Sequence, residues 1–256
     1  MPSLLRYPGG KSRGPLNKQI VSHISETYDG GKFGELFFGG GGITLSLIKY
    51  GIIDNVTICE KDPALYRMWG RVMFRPHCLI NAIEKVVPSV ELFVEAKSRV
   101  LNGHGTAIDF IVVNRLSHGG RGVMAGPQGG YEQKGKYKID CRWNPAALSK
   151  AVLQLNEILR SVDVELVHGS YDECGDFDYL YMDPPYLEVG RGLYQHSFEI
   201  EDHLTLRSYL STQPAWLLSY NNHPNVWDMY GDYNIVQTGT HGNGGDKPNS
   251  ELLIFP

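Results

Sequence analysis

What this chain lacks narrows its chemistry before any motif is read. No apolar run approaches the roughly 18 residues a membrane span requires, and residues 1–25 have no signal-type apolar core. The four cysteines, Cys59, Cys78, Cys141 and Cys174, form no CxxC pair. That argues against a zinc site or a disulfide framework and predicts reduced thiols in the cytoplasm. The histidines include no HExxH, and His77, His104 and His118 have no ligand-like spacing, so no metal is expected. No GxSxG elbow and no cysteine signature supports nucleophilic catalysis. No repeat, low-complexity tract or heptad pattern is present either, and a monomer is the expectation.

Charge is also sparse. Charged residues make up 20% of the chain and the formal net charge is −4, which by itself does not advertise a nucleic-acid binder. The distribution does. Residues 1–25 carry Arg6, Lys11, Arg13 and Lys18 with no acid. Residues 115–142 carry Arg115, Arg121, Lys134, Lys136, Lys138 and Arg142 against only Glu132 and Asp140. Two basic segments on an acidic chain suit a face that meets phosphates, although a solvated loop reads the same way for either segment alone.

With 256 residues and 42% hydrophobic content, the chain can bury one sizeable core and carry an inserted subdomain. Residues 33–38 read as a strand, Gly39-Gly40-Gly41-Gly42 as a loop and Ile43 to Tyr50 as a helix. A second strand over Val56 to Glu60 and a helix over Ala64 to Val72 complete a βαβ unit. From about 73 to 145 the pattern turns helical and then irregular, and the glycine-rich stretch 117–135 reads as a long mobile loop or hairpin. Alternation resumes with a helix over Pro145 to Ser161. Strands follow at Val164 to His168, Tyr179 to Asp183, Trp216 to Tyr220, Asn234 to Thr238 and Glu251 to Phe255, with helices near 201–211 and 223–230. No helical pattern separates the last two strands, which predicts an antiparallel pair at the end of an open α/β sheet.

The most informative stretch is Asp183-Pro184-Pro185-Tyr186, directly after the apolar run Tyr179-Leu180-Tyr181-Met182. Two prolines fix φ and remove two backbone donors, so a buried strand must end there. A carboxylate, carbonyls released from the ladder and an aromatic face then meet at one edge. Together they suit a planar ring with an exocyclic amino group; a plain strand followed by a proline turn is the simpler alternative.

The glycine run follows a strand and opens a helix, a place where backbone and helix N-terminus approach a ligand closely. Glu60 ends the next strand, where an acid can accept hydrogen bonds from ribose hydroxyls. Neither register of the run supplies the three glycines of GxGxxG, so a nucleoside ligand without the pyrophosphate fingerprint is favoured over a dinucleotide. Tyr7-Pro8-Gly9-Gly10-Lys11-Ser12 contains GKS, yet GxxxxGK[ST] would need glycine at position 5, which is Leu5. Lys11 still offers a cation at a tight turn. Val167-His168-Gly169-Ser170-Tyr171 follows another strand and belongs at the same edge, where Tyr171 either stacks on a base or fills core.

Taken together and in this order, the PGGK turn, the glycine loop after LFF and the DPPY tetrapeptide resemble the Dam-like (D12 class) DNA adenine-N6 methyltransferases over nearly the whole chain. Arg6 to Lys11 resembles the family's K-W-A-G-G-K element, and Glu35 to Gly41 its E-P-F-x-G-G-G element. Tyr194, Phe198, Asp202, His203 and Leu204 resemble a downstream Y…F…DHxxL pattern, and Glu251 to Ile254 the closing strand. Proline at position 8, Leu36 and Ser170 depart from the family's usual residues. The resemblance implies a Rossmann-like, S-adenosylmethionine-dependent methyltransferase sheet formed by residues 1–72 and 146–256. Residues 73–145 would be an inserted, mainly helical and hairpin target-recognition subdomain. It implies S-adenosylmethionine contacts at Tyr7, Lys11, Phe38, Gly39, Gly41, Glu60, Ser170, Tyr171 and Asp183. Catalysis would fall to Asp183, Pro184 and Tyr186 on a base flipped from double-stranded DNA. Arg115, Arg121 and Arg142 become candidate guanine contacts and Lys134, Lys136 and Lys138 candidate phosphate contacts, with Asn114 and Asn144 as adenine readers or turn residues. A cytosine-N4 or RNA amino-methyltransferase, a silent DNA-binding protein of the same fold and a nucleotide-dependent oxidoreductase are the competing readings.

Overall fold

The computed structural model describes residues 4–6, 10–187, 198–238 and 250–256. A seven-stranded sheet organises them, built from β1 (Phe33–Glu35), β2 (Asn55–Glu60), β3 (Asp163–His168), β4 (Tyr179–Met182), β5 (Trp216–Asn221), β6 (Asn234–Thr238) and β7 (Glu251–Phe255). Its order is β3-β2-β1-β4-β5-β7-β6. The first five strands pair in parallel, whereas β7 runs antiparallel to both β5 and β6. The sheet is therefore Rossmann-like α/β with a reversed strand near one edge, and the antiparallel terminal pair predicted from the sequence is present.

The central strands are covered on both faces, so they read as unbroken apolar runs. Successive side chains still alternate. Tyr179 and Tyr181 of β4 join one core with Leu217 and Leu253, while Leu180 and Met182 join the opposite core with Leu218 and Ile254. Strand β1 is shorter than the 33–38 expected because the chain leaves the ladder at Leu36 to enter the glycine loop, where Phe38 N–H reaches the Cys59 carbonyl at 3.3 Å.

Nine α-helices occur among the described residues: α1 (Gly14–Thr27), α2 (Thr44–Lys49), α3 (Pro63–Phe74), α4 (Pro76–Lys85), α5 (Val90–Leu101), α6 (Ala107–Leu116), α7 (Pro145–Arg160), α8 (Ile200–Leu210) and α9 (Pro224–Tyr230). Their starts are written into the sequence. Asp62 caps α3 by accepting from Ala64 and Leu65 N–H, and Asn144 caps α7 by accepting from Ala147 N–H, each with proline at the head of the helix. Asn144 thus serves as a cap.

Of the loop or hairpin expected over residues 117–135, the structure shows the hairpin-like alternative. Short 3-10 turns at His118–Gly120 and Gly122–Met124 fold the stretch back, a bridge joins Ser117 to Pro127, and Gln128 N–H bonds the Leu116 carbonyl at 2.7 Å. The glycines supply the turns: Gly119, Gly120, Gly122, Gly129 and Gly130 all have positive φ. A third core cluster beneath this region gathers Phe93, Ala96, Val100, Val112, Val113, Leu116 and Ile139.

The expectation of four unpaired thiols fails for one pair. Cys59 near the end of β2 and Cys174 after β3 are joined in a disulfide across 115 residues. The two strands pair side by side, and the turn after β3 folds over the end of β2, which brings the sulfurs together in a way no local spacing announces. Cys78 and Cys141 are free and exposed.

At the head of α6, Asp109 accepts from Arg99 Nε and Nη2 at 3.1 and 2.7 Å and from Thr106 N and Oγ1 at 2.9 and 2.7 Å. Burial alone would raise its carboxyl, but these partners hold it below the ordinary carboxylate range. Asp109→Ala is expected to cost about 2 kcal/mol of stability, read as a lowered denaturant midpoint at constant slope. A loss under about 0.5 kcal/mol would contradict the assignment.

Candidate active site

The parallel strands deliver their following loops to one edge of the sheet, where α/β folds place ligands. A cavity of about 560 Å³ opens there. It is lined by Lys11 from the N-terminal segment, Phe38 to Gly42 after β1, Glu60 after β2, Ser170 and Tyr171 after β3, and Asp183 and Pro185 after β4. Lys11, Phe38, Gly39, Gly41, Glu60, Ser170, Tyr171 and Asp183, all singled out in the sequence, thus share one cavity. Tyr7 and Tyr194 lie outside the described residues.

The glycine loop is shaped by close approach. Gly41 sits at φ 65° with the Phe38 ring against it, and a Cβ on Gly42 would come within 2.8 Å of Ser12 N. A side chain at Gly42 would therefore push the Lys11–Ser12 backbone off the loop. Asn17 of α1 reinforces the contact: its Nδ2 donates to the Lys11 carbonyl at 2.7 Å and to Ser46 Oγ at 3.1 Å. Trp69 of α3 donates its indole N–H to the Gly39 carbonyl at 2.9 Å, and the Phe38 ring meets the Trp69 ring edge-on at 4.8 Å.

Glu60 accepts from Gly39 N–H at 3.1 Å and Asp62 N–H at 3.0 Å. Burial pushes its carboxyl up to about 7 despite those bonds. Ser170 is held by a reciprocal capping box with Glu173. Tyr171 packs at 5.5 Å from Phe37 and 6.4 Å from Phe198, making an aromatic wall on the cavity. Of the two roles considered for Tyr171, core filling is the one seen, since it belongs to the core on that face.

Asp183 lies at the end of β4. Its Oδ1 accepts from Lys11 Nζ at 2.6 Å and from Ser219 Oγ at 3.1 Å, and Ser219 Oγ pairs in turn with Tyr181 OH at 3.0 Å. Lys11 Nζ also donates to Tyr186 OH at 2.6 Å. Tyr186 OH then donates to Glu251 Oε2 at 2.5 Å, an acid 3.5 Å from the same ammonium. Ser219, Glu251, Asn17 and Phe37 carry this geometry without having been recognised in the sequence. Asn17 and Ser219 sit in no local motif; Phe37 and Glu251 stand in stretches likened to family elements, but only three-dimensional proximity reveals their contacts.

The proposed DNA-contacting residues fall into two groups. Arg121, Lys134, Lys136, Lys138 and Arg142 are exposed. Lys134 pairs with Glu132, and Lys138 Nζ reaches the Gln133 carbonyl at 2.5 Å. Arg115 is turned inward: its Nε donates to the Leu4 carbonyl at 2.8 Å. Burial, with Arg6 and Arg142 adding repulsion, pushes its guanidinium down to about 10. Asn114 holds the backbone of Arg6, accepting from its N–H and donating to its carbonyl, both at 2.8 Å. Its bonding capacity goes to the fold. Among the described residues no cluster of metal-ligating side chains is present.

Glu35, at the end of β1, accepts from Thr44 N–H at 3.1 Å at the head of α2. Burial pushes its carboxyl up to about 8 from 4.5; the Thr44 bonds oppose the rise and Asp183 adds to it. The neutral acid thus favours the folded state, a contribution fully present below pH 4.5 and lost as pH rises through about 8. Glu35→Gln is expected to flatten the fall of melting temperature over that window; parallel curves for the two proteins would contradict it.

The chain is 23% identical over 279 residues to the Type II methyltransferase M1.LlaDCHI of Lactococcus lactis subsp. cremoris, covering 97% of this chain and 91% of that one. Among solved structures, the rRNA methyltransferase aviRa of Streptomyces viridochromogenes aligns over 98% of this chain and 89% of its own, with 14% identity and a TM-score of 0.45. The glycopeptide N-methyltransferase MtfA aligns over 94% and 95%, with 10% identity and a TM-score of 0.39. The family model of the D12 class N6 adenine-specific DNA methyltransferases matches residues 7–241. The chain belongs to that family, whose methyl donor is S-adenosylmethionine.

Proposed function

We propose that this enzyme methylates the N6 amino group of an adenine flipped out of double-stranded DNA, by direct in-line transfer. One observation carries the reading: Asp183 leaves the end of β4 into the cavity, beside Tyr186 and against Lys11. The glycine cradle, the aromatic wall and the buried Glu60 are the parts that would hold S-adenosylmethionine. When bound, that cofactor supplies an electrophilic methyl group on a cationic sulfur.

The target amine is a poor nucleophile because its lone pair is delocalised into the ring. Asp183 Oδ1 is occupied by Lys11 and Ser219, leaving Oδ2 to accept one amino N–H. The Pro184 carbonyl accepts the other, since the double proline has taken this backbone out of the ladder. Two acceptors draw the nitrogen towards tetrahedral geometry and turn its lone pair out of the ring. Positioning and fixed electrostatics carry the rate, so no covalent intermediate is needed. The Tyr186 ring stacks on the base, which must leave the duplex to reach so recessed a site.

Residues 73–145 form the target-recognition part in this reading. Arg121 and Arg142 are the exposed candidates for guanine contacts, while Lys134, Lys136 and Lys138 meet phosphates. Arg115 contributes by seating the N-terminal segment against α6.

Asp183→Ala is expected to abolish methyl transfer to unmethylated genomic DNA while leaving the fold in place; full activity in that variant would sink the assignment. Tyr186→Ala should lose about 1–3 kcal/mol of base stacking, seen as weaker productive DNA binding. Neutralising Lys134, Lys136 and Lys138 together should lower DNA affinity for all sequences and flatten its salt dependence. An unchanged salt slope would remove that segment from the interface.

A further inference from the structure

We propose that Glu251 is a positioning residue for methyl transfer: its carboxylate clamps the Tyr186 hydroxyl and the Lys11 ammonium, and so sets the plane of the Tyr186 ring beside Asp183. The proposal rests on the reading of Tyr186 as the surface on which the target base stacks.

Glu251 opens β7, and its backbone is fixed on both sides, opposite Asn221 of β5 and Thr238 of β6. Thr238 Oγ1 adds a 3.1 Å bond to its carbonyl. The acid is thus mounted on the rigid, reversed strand of the sheet. Its side chain is only 14% exposed, and burial raises its carboxyl above the ordinary range while Lys11 opposes the rise.

The Tyr186 hydroxyl stands between two partners of opposite kind. It accepts from Lys11 Nζ at 2.6 Å and donates to Glu251 Oε2 at 2.5 Å. A donor on one side and an acceptor on the other fix both the position and the rotation of the hydroxyl, and through it the ring. Lys11 Nζ also lies 5.0 Å from the centre of that ring, while the neighbouring Tyr220 ring is 6.0 Å away and tilted by 38°. Glu251, like Tyr186, stands outside the cavity lining, whereas Lys11 and Asp183 line it, so it acts on transfer through Tyr186 and Lys11.

The test is a double-mutant cycle on the single-turnover rate of methyl transfer, with labelled S-adenosylmethionine and unmethylated bacterial genomic DNA. Glu251→Ala should slow transfer about tenfold or more. In a Tyr186→Phe background the same change should cost less than about threefold, because the hydroxyl is gone and only the longer Lys11 contact remains. S-adenosylmethionine affinity should stay within about twofold, and Glu251→Gln, which keeps an acceptor for the hydroxyl, should recover the rate to within about threefold. An equal loss in both backgrounds, or cofactor affinity falling in step with the rate, would overturn the proposal and leave Glu251 a structural acid. Thermal unfolding of the same proteins without DNA separates the two layers. A wild-type protein inactive on DNA adenine, with non-additive melting shifts in the cycle, would refute the methyltransfer reading and keep the clamp. An active wild type with additive shifts and additive rates would refute the clamp alone.

Discussion

One buried ammonium, that of Lys11, ties together the parts of the molecule that matter for its chemistry. It reaches Asp183 from β4, the hydroxyl of Tyr186 beyond the double proline, and Glu251 at the start of β7. A charge so placed is costly to desolvate unless its partners satisfy it fully. The fold meets that demand by pinning the N-terminal segment: Asn17 holds the Lys11 carbonyl, and Gly42 lets the Ser12 backbone pack directly on the glycine loop. The end of β4, the glycine loop and the N-terminal turn are thereby joined.

The surrounding acids fit the same purpose. Glu35, Glu60 and Glu251 all have carboxyls raised by burial. Glu35 and Glu60 line the cavity while Glu251 stands outside its lining, and burial favours the neutral form of each acid.

Much of this was legible in the residues, and the reasons are local. The four apolar residues before Asp183 and the double proline after it fixed where β4 ends, because no other conformation accommodates that order. Asp62-Pro63 and Asn144-Pro145 marked helix starts through their caps. What stayed hidden depends on contacts distant in sequence. Glu251 lies 65 residues from its Tyr186 partner, and Cys59 lies 115 from Cys174. Arg115 read as an exposed base contact because a guanidinium in a basic stretch looks the same whether it faces DNA or the Leu4 carbonyl. Residues 117–135 read as a loop or hairpin without a choice between them, because their glycines signal turns without saying that the turns are bonded to one another.

The most direct test of the central claim is to express the chain in a methylation-deficient bacterial host and sequence that host's DNA by a method that detects modified bases. The account predicts N6-methyladenine at one short recurring sequence, and none when Asp183 is replaced by alanine. Methylcytosine in place of methyladenine, or methyladenine that persists in the Asp183 variant, would contradict it.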